Sequence, residues 1–204
     1  MLKLPKNWND VKANDGTFRA LPAGAYDCII KQAKVTNSKK SGNEMLVLCL
    51  DIAGGEHAGY FTEQFNHRRE RNSDAKWPAV SYTLTGLDVG REDPRRQGML
   101  KHVVKSIEES NNGFKWTSGD EAEFNGKHVG CVFREEEYSY MQNGESKIGV
   151  GLRCDRIIPV SGIKDAKIPA RKALDGAEAQ AAHAGTSRDA ATAPAPIAED
   201  DLPF

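Results

Sequence analysis

The chain has 204 residues, 39% of them hydrophobic, which suffices for one globular domain with or without a tail. Its 28 basic and 29 acidic residues give a formal net charge of −1, but the charge is unevenly spread: residues 1–175 hold 27 bases and 24 acids, a net of +3, and residues 176–204 hold five acids and one base, a net of −4. The longest apolar run, Met45 to Leu50, is far below the ~18 residues of a bilayer-spanning helix, and residues 1–10 contain no apolar stretch of signal-peptide length. Cys28, Cys49, Cys131 and Cys154 sit singly in apolar surroundings, as buried reduced thiols do. A soluble, cytoplasmic protein without membrane contact is expected.

In chain order, the first predicted strand covers about Ala25–Val35, after Pro22 and Gly24 and before the polar turn Asn37–Gly42. A second, Glu44–Ile52, is a continuous apolar run, as a strand covered on both faces would be. The glycine-rich turn Ala53–Gly59 leads to a third predicted strand, Tyr60–Asn66. Residues 67–98 contain no clear element, with Pro78 and Pro94 interrupting the pattern. Met99, Leu100, Val103, Val104 and Ile107 fall at helical spacing, and Asn112-Gly113 is a natural helix stop. A fourth strand, His128–Arg134, places Val129, Cys131 and Phe133 on one face. In the fifth, Ile148, Val150, Leu152 and Cys154 alternate with Gly149, Gly151, Arg153 and Asp155, and Asn143-Gly144 supplies the hairpin turn before it. Five strands with one helix between the third and fourth is the order of an OB-fold, a small mainly β Greek-key barrel. The expected division is a domain over 1–164 and a disordered Ala/Pro-rich linker with an acidic tip over 165–204. Ten of the last 29 residues are Ala, and too little apolar surface is present there to offset chain entropy.

The final residues, Asp200, Asp201, Leu202, Pro203 and Phe204, place acids beside an apolar tip that ends in an aromatic. A partner with a hydrophobic slot and a basic rim could read them by aromatic burial and charge-assisted pairing. The ending resembles the C-terminal tip of bacterial single-stranded-DNA-binding proteins. The body is similar to a phage-encoded family of small single-stranded-DNA-binding proteins, long described as a domain of unknown function. That second resemblance rests on Leu4–Val11, Phe18–Tyr26, Gly59-Tyr60-Phe61, Ile107–Trp116 and Gly126–Gly130, and is least over Arg68–Gln97. It implies an OB-fold that holds DNA in replication, recombination and repair, and a tip that recruits proteins of those processes. A homo-oligomer is compatible with it.

Single-strand binding requires cations for phosphates and aromatic faces for bases. In an OB-fold the groove lies on strands two and three, flanked by the loops joining strands one to two and four to five. Lys34, Lys39 and Lys40 stand at the first loop, and Tyr138, Tyr140 and Lys147 at the second. Tyr60 is the stacking candidate on the third predicted strand, with Phe61 and Phe65 on its core face. Arg68, Arg69 and Arg71, followed by Trp77 and Tyr82, interleave cations with aromatics, diluted by Glu70 and Asp74. Arg91, Arg95 and Arg96 read as a solvated loop, and Trp116 as the cap of a barrel end.

No catalytic constellation stands out. The five histidines share no metal-ligand spacing with the cysteines, Gly149-Val150-Gly151 is a lone Gly-x-Gly inside a strand, and no nucleophile sits beside a base. No cofactor, metal or enzymatic activity is therefore expected. The competing readings are a decoy that presents the tip without binding DNA, and a nuclease accessory enzyme with Asp51, Glu63 and His67 as its acidic site.

Overall fold

The computed structural model describes Lys6 and residues 20–174 apart from Val89, Arg91 and Asn143. The tip Asp200–Phe204, the linker from Asp175 onward, most of the N-terminal stretch before Ala20, and Arg91 lie outside the described residues. None of the described helices is long and apolar enough to cross a membrane.

The elements are β1 (Gly24–Asn37), β2 (Glu44–Ile52), α1 (Tyr60–Arg71), β3 (Val80–Leu84), α2 (Pro94–Ser110), β4 (His128–Gln142) and β5 (Glu145–Ile158), with a short 3-10 turn at Glu121–Phe124. All five strands join one antiparallel sheet in the order β3-β2-β1-β4-β5. β1 is shared: residues 24–29 pair with β4, and residues 28–37 pair with β2 across a register shift between Ile30 and Gln32. Such a bulge bends a strand and increases its twist. The sheet curls until its edge strands β3 and β5 approach each other, but no ladder joins them, so the sheet is not closed.

The curled sheet wraps a core of Cys28, Ile30 and Ala33 from β1, Leu46, Leu48, Leu50 and Ile52 from β2, and Val129, Cys131 and Phe133 from β4, with Leu152 and Cys154 of β5 packed against it. The helices and the 3-10 turn add Phe61, Val103, Ile107 and Phe124. Trp116 packs on Phe124 with ring centroids 5.2 Å apart. Met45, Val47 and Cys49, on the outer face of β2, are also buried, which accounts for that strand's unbroken apolar run. Cys28, Cys49 and Cys131 are buried free thiols, and burial pushes the Cys131 thiol well up; Cys154, expected to be buried, is only half-buried.

Four sequence expectations change. Residues 60–66 are not a strand but the first turns of α1. The helical stripe is Phe61, Gln64, Phe65 and Arg68, at i, i+3, i+4 and i+7, and its two polar members hid it from a hydrophobicity count. Gly59, the N-cap residue, accepts from the Glu63 N–H at 3.0 Å through its carbonyl but has no side chain to cap the helix. Asp51 of β2 does so from a distance, with Oδ1 accepting from the Phe61 N–H at 2.9 Å and Oδ2 from the Thr62 hydroxyl. The third strand is instead Val80–Leu84, inside the stretch that looked featureless. There are therefore two helices in the sheet's crossovers, not one. Arg95 and Arg96 lie in the first turn of α2: Pro94 starts the helix rather than interrupting the chain, and the Asp93 side chain accepts from the Arg95 and Arg96 amides at 3.0 and 3.3 Å. The turn that feeds α2 requires Gly86, which has φ +67° and where a Cβ would lie 2.7 Å from the Asp93 carbonyl oxygen.

The last described segment lies beyond the expected domain boundary at residue 164 and returns to β4. The Glu137 N–H donates to the Lys172 carbonyl, and the Lys172 N–H donates to the Glu135 carbonyl, each at 2.9 Å, in a parallel bridge along the edge that β1 leaves uncovered.

Candidate functional site

Cross-strand register assembles the candidate groove from separate parts of the sequence. Lys34 of β1 lies opposite Val47 of β2, and Val47 lies opposite Tyr82 of β3. Residues directly opposite in an antiparallel ladder share a face. Lys34, Val47 and Tyr82 thus form one row across three strands, on the face turned away from Leu46, Leu48 and Leu50 in the core. Val47 is buried, Lys34 is half-buried, and Tyr82 is 40% exposed.

The two flanks stand at opposite ends of β3. Its C-terminal Leu84 pairs with Met45, beside the β1–β2 turn that carries the exposed Lys39 and Lys40. At its other end, Pro78 lines a cavity together with Val150, Gly151 and Leu152 of β5, at the base of the β4–β5 arm. On one face of that arm Tyr140 lies opposite Lys147, and Tyr138 lies opposite Gly149, with the two tyrosine rings 5.9 Å apart. A Cβ on Gly149 would lie 2.5 Å from the Tyr138 ring, so the missing side chain is what lets the tyrosine lie across β5. The row thus sets a cation and an exposed aromatic on one face of β1–β3, with lysines in the turn beside one end of β3 and tyrosines with a lysine on the arm beyond its other end.

Other predicted contacts go elsewhere. Tyr60 begins α1 rather than facing a groove from a strand. Its hydroxyl accepts from the Leu21 N–H at 3.2 Å, its ring meets Phe61 edge-on at 5.1 Å, and burial raises its pKa. Trp77 braces α1 on β2: its Nε1–H donates to the Leu50 carbonyl at 2.8 Å and its ring lies 5.0 Å from Phe65. The strand reading singles out Tyr60, and the interleaving with arginines singles out Trp77; in the structure both pack against the core. Those arginines lie on the last two turns of α1. The Arg69 guanidinium sits 5.6 Å from the Phe65 ring, and Arg71 is exposed. Arg68 is partly buried, which lowers its pKa, and it lies near Tyr138 and Tyr60, linking α1 to the arm.

Sequence reasoning missed the electrostatics of the arm. Glu135, Glu136 and Glu137 meet a return segment of opposite charge: Arg171 contacts Glu135 at 2.7 Å and Glu137 at 3.8 Å, and Lys172 contacts Glu136 at 3.0 Å. Arg134 pairs with Asp155 at 2.9 Å. The blocks Glu135–Glu137 and Arg171-Lys172 are visible in the sequence, but only the fold pairs them. Of the acidic set Asp51, Glu63 and His67, the Asp51 carboxylate is engaged in capping α1. Glu63 and His67, placed apart by the strand reading, are one turn apart on α1, where His67 contacts Glu70 at 3.7 Å.

Residues 7–83 match the model of a family described as a protein of unknown function, DUF669. The match includes β1, β2, α1 and nearly all of β3, and so takes in Arg68–Thr83, where the sequence resemblance was least. The chain matches no curated protein.

Proposed function

We propose that this protein is a non-catalytic, phage-type single-stranded-DNA-binding protein whose body is an OB-fold barrel left open along one seam. The strand order β3-β2-β1-β4-β5, with α2 between β3 and β4, is that of a five-stranded Greek-key barrel unrolled between its third and fifth strands. The observation that carries the reading is the row Lys34–Val47–Tyr82 lying between Lys39 and Lys40 at one end and Tyr138, Tyr140 and Lys147 at the other. Phosphates would meet the lysines and bases would stack on the tyrosines, a mode that is tolerant of sequence because every base has a π-face. On this reading the tip Asp200–Phe204 recruits replication, recombination or repair proteins.

Titration of labelled oligo-dT at several salt concentrations tests the proposal. Affinity is expected to fall with salt at a log–log slope of about −0.7 per phosphate contacted. Tyr82→Ala is expected to weaken binding by about 1–3 kcal/mol, the worth of one stacked base. A folded wild-type protein that leaves the oligomer unbound at low salt would overturn the reading.

A further inference from the structure

A cavity of about 210 Å³ lies between the first turns of α1 and the base of the β4–β5 arm. Leu21, Phe61, Pro78, Val150 and Leu152 make its walls largely apolar, and Tyr60 adds an aromatic ring. Glu135 and Arg171, paired at 2.7 Å and both partly exposed, also line it. One polar group is out of balance. Gln64 is only 8% exposed and lines this cavity, yet its Oε1 has no hydrogen-bond partner among the described residues. Its amide lies by the Tyr60 hydroxyl, which is itself held by the Leu21 N–H. A buried amide oxygen without a donor costs free energy that a ligand N–H would recover.

We propose that this cavity takes a single nucleobase of the bound strand, with a ring or exocyclic N–H of the base donating to Gln64 Oε1. The inference rests on the strand-binding reading above and adds a second kind of contact to it. The volume is below the ~300–1,000 Å³ of pockets for drug-sized ligands and suits one heteroaromatic ring. Largely apolar walls around an acceptor that lacks a donor fit a flat ligand with a donor edge. Position supports the same occupant: Pro78 of the cavity wall lies two residues ahead of β3, the strand that carries Tyr82. The half-buried Arg68, near Tyr60, places positive charge close to the cavity.

The test compares oligo-dT with an oligomer of the same length in which every thymine carries an N3-methyl group. Methylation removes the N3–H donor and leaves the stacking face and the phosphates intact. The wild-type protein is expected to bind the methylated strand roughly fivefold or more weakly, the factor for an unmet buried acceptor. Gln64→Leu, which keeps size and removes the acceptor, is expected to bring the ratio of the two affinities to about one. Val150→Trp, at a partly exposed wall position, is expected to do the same by filling the cavity, and it serves if Gln64→Leu does not fold. Equal affinities in the wild-type protein would overturn the base pocket and leave strand binding standing, as would an undiminished ratio in Val150→Trp. Failure of the wild-type protein to bind either oligomer would overturn both.

Discussion

From His128 to Phe133, β4 pairs with β1 on one side and, from Gly130 on, with β5 on the other, and Val129, Cys131 and Phe133 are sealed in the core. From Arg134 to Gln142 the same strand has lost β1 and keeps β5, with Glu135, Glu136, Glu137, Tyr138 and Tyr140 along it. The first half is held by apolar burial, which depends little on ionic strength. The second half is held by a hairpin ladder, by Tyr138 lying over Gly149, and by the pairing of its carboxylates with Arg171 and Lys172. Surface ion pairs individually contribute little, and salt screens them. A single strand thus links a rigid body to an arm whose placement depends on charge, and the arm carries the tyrosines proposed to meet DNA.

The sharpest way to break this contrast is to cut the body. Phe133→Ala removes a ring that is 1% exposed and packs on Phe61 at 5.4 Å. Its expected cost is about 3–5 kcal/mol of unfolding free energy, measured by urea denaturation and nearly independent of salt. A loss below about 1 kcal/mol would show that the lower half of β4 is not the stabilising half. At the arm, Arg171→Ala removes contacts to Glu135 and Glu137 and is expected to cost only about 0.2–1 kcal/mol. The effect should shrink as salt rises toward 1 M, where the screening length is about 3 Å. A larger, salt-independent loss would mean that the return segment is part of the core structure.

The legibility of the sequence follows the same divide. β1, β2, β4 and β5 were visible because burial writes a pattern: an unbroken apolar run for β2, alternation for Val129-Cys131-Phe133 and for Leu152-Cys154. α1 was hidden because half of its inward stripe is polar, and because its cap, Asp51, comes from another element. β3 was hidden because Val80, Ser81, Tyr82, Thr83 and Leu84 make a strand only beside β2, where Ser81 and Thr83 become buried. Within the candidate site, lysines and tyrosines could be named from composition, but which of them share a face depends on cross-strand register. Register separates Tyr82, which looks outward, from Trp77, whose indole is tied to the Leu50 carbonyl. The pairing of Glu135–Glu137 with Arg171-Lys172 joins segments more than thirty residues apart, which no local pattern can convey.

The smallest expected effect tests whether charge also matters inside the body. Glu108, near the end of α2, accepts from Lys115 Nζ at 3.0 Å and from the Trp116 N–H at 3.0 Å, fixing the loop that brings Trp116 onto Phe124. The Lys115 ammonium and the Trp116 amide hold its carboxyl below the usual carboxylate value. A carboxylate whose pKa is depressed on folding contributes stability above its unfolded pKa and loses it as pH falls through the folded one, because the unfolded chain binds the proton first. Glu108→Gln is therefore expected to melt slightly below the wild-type protein at pH 7. The two melting curves should converge as pH falls below about 4.3, the ordinary glutamate value. Curves that stay parallel down to acid pH would show that the Glu108 charge is not what holds this loop, and that the packing of Trp116 on Phe124 holds it instead.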